Sequence, residues 1–163
     1  MILYHGSYME IIKPDLAFSR LRTDFGKGFY LTPLKDQAVN WAYRYKEGRG
    51  AAIVTSYKFL EGHSEKMPLG IKILEFDSHT INWLNYITSC RLGLSPESDY
   101  DLVIGGVAND KVYDTLQLYF DGLIGADDAI GRLRYNKPNY QYCFKSQNLI
   151  YGYLHYIGHE VLK

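Results

Sequence analysis

The chain has 163 residues, enough for one domain with a sizeable core. It is 47% hydrophobic and 22% charged, an ordinary globular composition, and its 18 basic side chains balance 18 acidic ones. Zero net charge argues against tight electrostatic binding to long nucleic acid, where phosphate neutralisation supplies most of the affinity, and leaves open brief contact with a nucleotide or an RNA end.

Met1 runs directly into Ile2-Leu3-Tyr4, which leaves no room for a secretory leader and predicts a short strand over 2–5. No apolar run approaches a membrane span, so a cytoplasmic protein without membrane contact is expected. Cys90 and Cys143 show neither metal spacing nor a disulfide framework, and reduced thiols suit that compartment. Residues 6–27 read as irregular. "GFYLT" (28–32) follows a Gly-X-Gly turn and reads as a strand. Pro33 fits the first turn of a helix through "LKDQAVNWAYRYKEG", with Gly48 as its stop. Leu34, Ala38, Trp41 and Tyr45 fall on one face of that helix.

Residues 51–61 and 71–76 read as strands rich in β-formers. Residues 79–93 read as a helix with Trp83, Ile87 and Cys90 on one face, and 100–108 as a buried strand. A helix follows over 109–122, capped by Asn109 or Asp110, lined by Val112, Leu116 and Tyr119, and ended by Gly122. A small helix fits 126–134. Strands are expected at 139–144 and 151–162. Strands and helices do not alternate regularly, so a doubly wound parallel sheet is disfavoured. The pattern predicts a single α+β domain over 1–163 with mostly antiparallel pairing.

Three positions stand out: His5 in "YHGS", Tyr30 in "GKGFYLT" and Gln141 in "NYQYCF". Each falls on an expected strand beside small or polar residues. Singly, a strand histidine is more often a structural hydrogen-bonder, a strand tyrosine usually belongs to core, and a strand glutamine usually faces water. Together, in this order, they resemble the ADP-ribosyltransferase superfamily, in its poly(ADP-ribose) polymerase-like and diphtheria-toxin-like branch. That branch reads His, Tyr, Glu on three separated strands. "LYHGS" is similar to its first motif, "FGKGFYLT" with "DQAVNWA" to its second strand and following helix, and "NYQYCF" to its third. Nearly the whole chain, through "YDLVIGGVANDKVYDT" and "RYNKPNYQYCF", also resembles a bacterial family catalogued as a domain of unknown function. That family belongs to the same clan and is often encoded beside a small antitoxin-like partner.

The resemblance implies two packed, mostly antiparallel sheets forming an NAD cleft, flanked by helices. It implies an NAD-dependent mono-ADP-ribosyltransferase acting as the toxin of a toxin–antitoxin pair, with a protein or nucleic-acid acceptor, a small antitoxin protein as partner, and no metal. His5, Tyr30 and Gln141 take the catalytic positions. His5, Gly6, Ser7, Arg20, Gly28, Tyr30 and Trp41 take the NAD-binding ones. His5 would bond the adenosine-side ribose, the Gly6 backbone would meet the carboxamide, Ser7 would add a hydroxyl, and Tyr30 would stack on nicotinamide. Trp41 either completes an aromatic sandwich with Tyr30 or fills core. Arg20 and Lys27 are candidate diphosphate contacts, Lys27 fitting a solvated surface better.

Two departures matter. Gln141 stands where glutamate is expected; its amide can accept a hydrogen bond but carries no charge and is no general base. Ala38 replaces a hydroxyl that the branch uses for the carboxamide. Single transfer rather than chain growth follows, with an NAD glycohydrolase or a non-catalytic NAD/ADP-ribose-binding module as the alternatives. Among other motifs, "FGKG" lacks the Gly-Lys-Ser/Thr ending of a P-loop. Asp127-Asp128 read as a helix start. Arg132 and Arg134 read as a solvated face. His155 and His159 read as strand residues rather than zinc ligands.

Overall fold

The apolar run Ile2-Leu3-Tyr4 opens strand β1 (Ile2–Ser7), whose Leu3 is fully buried. The computed structural model of the protein describes residues 1–60, 70–94, 99–108, 110–133 and 139–163, the side chains of 110 and 111 apart. β1 pairs antiparallel with β3 (Ile53–Phe59), which pairs antiparallel with β7 (Leu154–Val161). A second sheet runs in the order β2 (Phe29–Leu31), β6 (Tyr140–Phe144), β5 (Leu102–Gly106), β4 (Ile73–Glu75). Among the described residues, only its β4–β5 pair is parallel. The architecture is therefore α+β with mostly antiparallel pairing, as the irregular element order implied, and its strands form two sheets.

The sheets meet through a reciprocal backbone pair, Tyr4 N–H to Thr32 O at 2.8 Å and Thr32 N–H to Tyr4 O at 2.9 Å. Beneath it, Leu3, Tyr57 and Phe59 of one sheet pack with Phe29, Leu31, Leu102 and Phe144 of the other. A second core lies on the far face of the β5–β6 sheet. There Trp83, Leu84 and Ile87 of α2 (Ile81–Leu92) meet Val112 and Leu116 of α3 (Asp110–Phe120), and Ala129 and Leu133 of α4 (Ala126–Leu133). Thr80 caps α2 by accepting from the Trp83 N–H, and Gly93 closes it at φ 73°. Asn109, the side chain of Asp110, and Arg134 lie outside the described residues. Among the described residues, no helix is long and apolar enough to cross a membrane.

Helix α1 (Lys35–Arg49) packs on β1. Its buried seam is Gln37, Ala38 and Ala42, rather than the expected Leu34–Ala38–Trp41–Tyr45 face. Leu34 is exposed, and Trp41 and Tyr45 lie half-buried on the flank. The seam is small because the helix backbone sits directly on Gly6: a Cβ there would fall 1.9 Å from the Ala38 carbonyl oxygen. The helix passes through Gly48 and stops at Gly50, whose left-handed φ of 74° lets its N–H return to the Lys46 carbonyl. The last strand also starts later than its tyrosines suggest. Gln147–Tyr153 form a short helix, α5, capped by Ser146, before β7 begins at Leu154. Cys90 and Cys143 are buried thiols, and burial pushes Cys143 up to about 12.

Candidate active site

A cleft of about 960 Å³ opens between β1, the 8–28 segment, β2, α1 and the ends of β5 and β6. Its size is at the upper end of the ~300–1,000 Å³ usual for small-molecule sites. All eight site residues named from the sequence line it: His5, Gly6, Ser7, Arg20, Gly28, Tyr30, Trp41 and Gln141. Lys27 does not, and is exposed.

His5 is half-buried at the heart of the cleft, its ring stacked on Phe29 at 4.6 Å. Its Nδ1 lies 2.8 Å from the Tyr30 carbonyl. A carbonyl only accepts, so Nδ1 carries the proton. Burial lowers the imidazole below its ordinary value, against the opposing pull of that hydrogen bond. The ring is therefore neutral at pH 7, and Nε2 is a bare acceptor. The bond also ties the first sheet's site residue to the second sheet's.

Tyr30 is held at its tip. Its hydroxyl accepts from the Phe25 N–H at 2.9 Å, donates to the Gly26 carbonyl at 2.7 Å, and lies 2.8 Å from Thr23 Oγ1. Burial raises the phenol, so it stays neutral. Phe25 stacks against the ring at 6.5 Å. Gly26, at φ 73°, makes the 23–26 turn that brings these partners round the hydroxyl. Gly28 allows β2 to approach β6: a Cβ there would lie 2.3 Å from Cys143 Sγ.

Ser7 turns its hydroxyl to its own loop, donating to the Met9 carbonyl at 2.8 Å and accepting from the Met9 N–H at 3.1 Å. Ala38, where a hydroxyl was missed, is fully buried in the α1–β1 seam. Trp41 flanks the cleft instead of filling core.

Gln141 is 3% exposed at the cleft floor. Its Nε2 donates to Asp24 Oδ2 at 2.8 Å and towards the Gly106 carbonyl at 3.4 Å. Asp24, which sequence reasoning missed, also accepts from Arg91 Nε at 3.0 Å, from Arg91 Nη2, and from the Ala108 N–H at 3.0 Å. Its sequence signal is faint: an acid beside Phe-Gly with no helix to cap. The arginines were largely missed too. Besides Arg20, the guanidinium-bearing residues Arg22, Arg44, Arg49 and Arg91 line the cleft. They alternate with rings: Arg49 lies 5.0 Å over Tyr8, Tyr8 meets Tyr45 at 5.7 Å, and Arg20 Nη2 lies 3.5 Å from the Tyr45 hydroxyl. The cleft lining carries Lys13 and five arginines against the acids Glu10, Asp15 and Asp24, an excess of positive charge that suits an anionic ligand carrying flat rings.

No curated protein and no solved structure matches this chain. A family comparison matches residues 1–156, the site residues included, to the family described as "Protein of unknown function (DUF3990)". The full-length likeness expected from the sequence is thereby met at the level of that family, and the chain belongs to it.

Proposed function

We propose that the protein is an NAD-dependent mono-ADP-ribosyltransferase that releases nicotinamide and passes one ADP-ribose to a macromolecular acceptor. We further read it as the cytoplasmic toxin of a bacterial toxin–antitoxin pair, restrained by a small antitoxin protein. The observation that carries the enzymatic reading is convergence: His5, Tyr30 and Gln141, on three strands of two sheets, open onto one cleft. The fold this implies is the ADP-ribosyltransferase one.

The residues suit a dinucleotide. Nε2 of His5 takes a hydrogen bond from a ribose hydroxyl. Tyr30 presents a ring whose hydroxyl is already engaged, so the face is what it offers nicotinamide. Trp41, on the flank of α1, supplies a second ring, and an aromatic stack contributes about 0.5–1.5 kcal/mol beyond burial. Arg20, Arg22, Arg44 and Arg49 meet the diphosphate by charge-assisted hydrogen bonds, Arg91 being engaged by Asp24. NAD supplies the scissile nicotinamide–ribose bond. As that bond breaks, positive charge grows on the sugar, and Gln141 meets it with a neutral acceptor. Relative to a carboxylate, the weaker contact costs about 1–3 kcal/mol, up to a hundredfold in rate. A slow enzyme making single transfers follows.

Labelled NAD incubated with the protein and a cell lysate tests this. Labelled macromolecule with free nicotinamide, both lost in His5→Ala, supports transfer. Nicotinamide without a labelled acceptor identifies a glycohydrolase. Tight NAD binding without release over hours identifies a binding module. Growth arrest on expression, relieved by His5→Ala, tests the toxin role.

A further inference from the structure

We infer that Asp24 is a positioning residue of the cleft: it fixes which end of the Gln141 amide a ligand meets, and through that hydrogen bond its carboxylate polarises the neutral amide that stands where a charged residue is expected. The second half rests on the transferase reading; the first does not.

Asp24 is 8% exposed and draws donors from three places in the fold. Arg91 comes from α2, the Ala108 N–H from just beyond β5, and Gln141 from β6. The amide of Gln141 can in principle turn either way, and only its neighbours decide. Here both neighbours of its nitrogen, the Asp24 carboxylate and the Gly106 carbonyl, are acceptors without hydrogens. The turned amide would set oxygen against oxygen at 2.8 Å. The NH2 group therefore faces inward, and the carbonyl oxygen is what Gln141 offers the cleft. A carboxylate behind an amide also polarises it, leaving that oxygen more negative. Arg91 makes the buried charge tolerable by pairing with it, and its own guanidinium is backed by the Tyr113 ring at 5.0 Å.

The geometry makes an unusual demand on substitutions. Gln141→Glu restores the charge expected in the polymerase-like branch, but it sets two carboxylates at hydrogen-bonding distance. One must then hold a proton. In the double variant Asp24→Asn/Gln141→Glu, the amide introduced at position 24 can donate to the carboxylate introduced at 141. The pair is then complementary again, with its roles exchanged.

The test uses the full-length protein in four forms: wild type, Asp24→Asn, Gln141→Glu and the double variant. The first readout is the Gln141 side-chain amide in a nitrogen–proton NMR spectrum, assigned by its loss in Gln141→Glu. In the wild type its protons are expected to exchange at least about tenfold more slowly than those of a solvated glutamine, by virtue of burial and bonding. Asp24→Asn should shift that resonance and remove most of the protection. The second readout is nicotinamide release from NAD. Asp24→Asn should lower kcat about tenfold or more while KM changes less than about threefold, the pattern of an interaction made in the transition state. Gln141→Glu should be impaired at alkaline pH, where both carboxylates are charged, and recover as pH falls and one of them takes up a proton. The double variant should return to within about tenfold of wild type, which a merely structural role for Asp24 would not produce.

Wild-type Gln141 amide protons exchanging as freely as a solvated glutamine's overturn the orientation, and that measurement needs no variant to fold. An Asp24→Asn protein with unchanged kcat, or a double variant no better than either single one, overturns the electrostatic role. If all four forms release no nicotinamide, the transferase reading and the electrostatic role both fall, and the amide spectrum alone decides the orientation.

Discussion

Gly6→Ala puts the seating of α1 to a direct test. The added methyl would lie 1.9 Å from the Ala38 carbonyl oxygen and 2.8 Å from the Ala42 nitrogen, where real contacts stay beyond 3.0 Å. Both obstacles are backbone, so no rotamer change relieves them. The helix must retreat from β1 by about an ångström. Overpacking costs typically 1–3 kcal/mol, and a rigid helix backbone argues for the top of that range, about 3 kcal/mol. For a chain of this size that is a fall in melting temperature of about 6–12 °C. The same retreat displaces Trp41, Arg44, Tyr45 and Arg49, which α1 carries along one side of the cleft. Thermal unfolding by circular dichroism and calorimetric titration with NAD read the two effects. Ala38→Gly in the same background should not restore either, since the obstructing atom is a peptide oxygen. A Gly6→Ala protein melting within about 2 °C of wild type would refute the direct contact between helix and strand.

Other expectations are equally concrete. Gly28→Ala drives a methyl to 2.3 Å from Cys143 Sγ and should cost about 2 kcal/mol, and clearly less in a Cys143→Ala background; additive losses in denaturant titrations would show that the sulfur is not the obstacle. Tyr30→Phe keeps the ring but strands the Phe25 N–H, so stability should drop by about 1–3 kcal/mol while NAD affinity moves less than about threefold; a large affinity loss would mean that the hydroxyl, not the face, meets the ligand. The folded His5 value lies below the ordinary 6.5, so its contribution to stability holds above pH 6.5 and is lost as pH falls through the folded value. NAD affinity should follow the neutral ring: flat from pH 8 to 7, declining only as pH falls through the lowered folded value, and without that decline in His5→Gln. A wild-type affinity already changing between pH 8 and 7 would count against the assignment.

Local chemistry was legible where a residue's neighbours in sequence are also its neighbours in space. β-forming residues marked the strands, and Gly122 ended its helix where cap rules place it, in the left-handed region. His5, Gly6 and Ser7 share a strand, and Gly28 and Tyr30 lie within three residues of each other, so local pattern carried them. Asp24 was illegible because its partners lie 67 and 117 positions away, and no spacing rule links a loop acid to a helix arginine and a strand glutamine. The helix at 147–153 was hidden by Tyr151 and Tyr153, which are strand formers by propensity; the Ser146 cap was its one local sign. The α1 face misled for a third reason. Large rings drew attention to Trp41 and Tyr45, yet a helix lying on glycine buries its smallest residues and pushes its largest to the flank.

The Tyr4–Thr32 pair has a mechanical implication. It adjoins His5 in one sheet and lies two residues from Tyr30 in the other, and the His5–Tyr30 hydrogen bond crosses beside it. Rotation moves points in proportion to their distance from the pivot. A rotation of one sheet against the other about this pair would therefore leave the histidine and tyrosine nearly stationary and move the arginines and tyrosines farther out along α1 the most. His5 and Tyr30 thus lie near the fulcrum, and the ring- and arginine-bearing flank of α1 lies out along the lever arm.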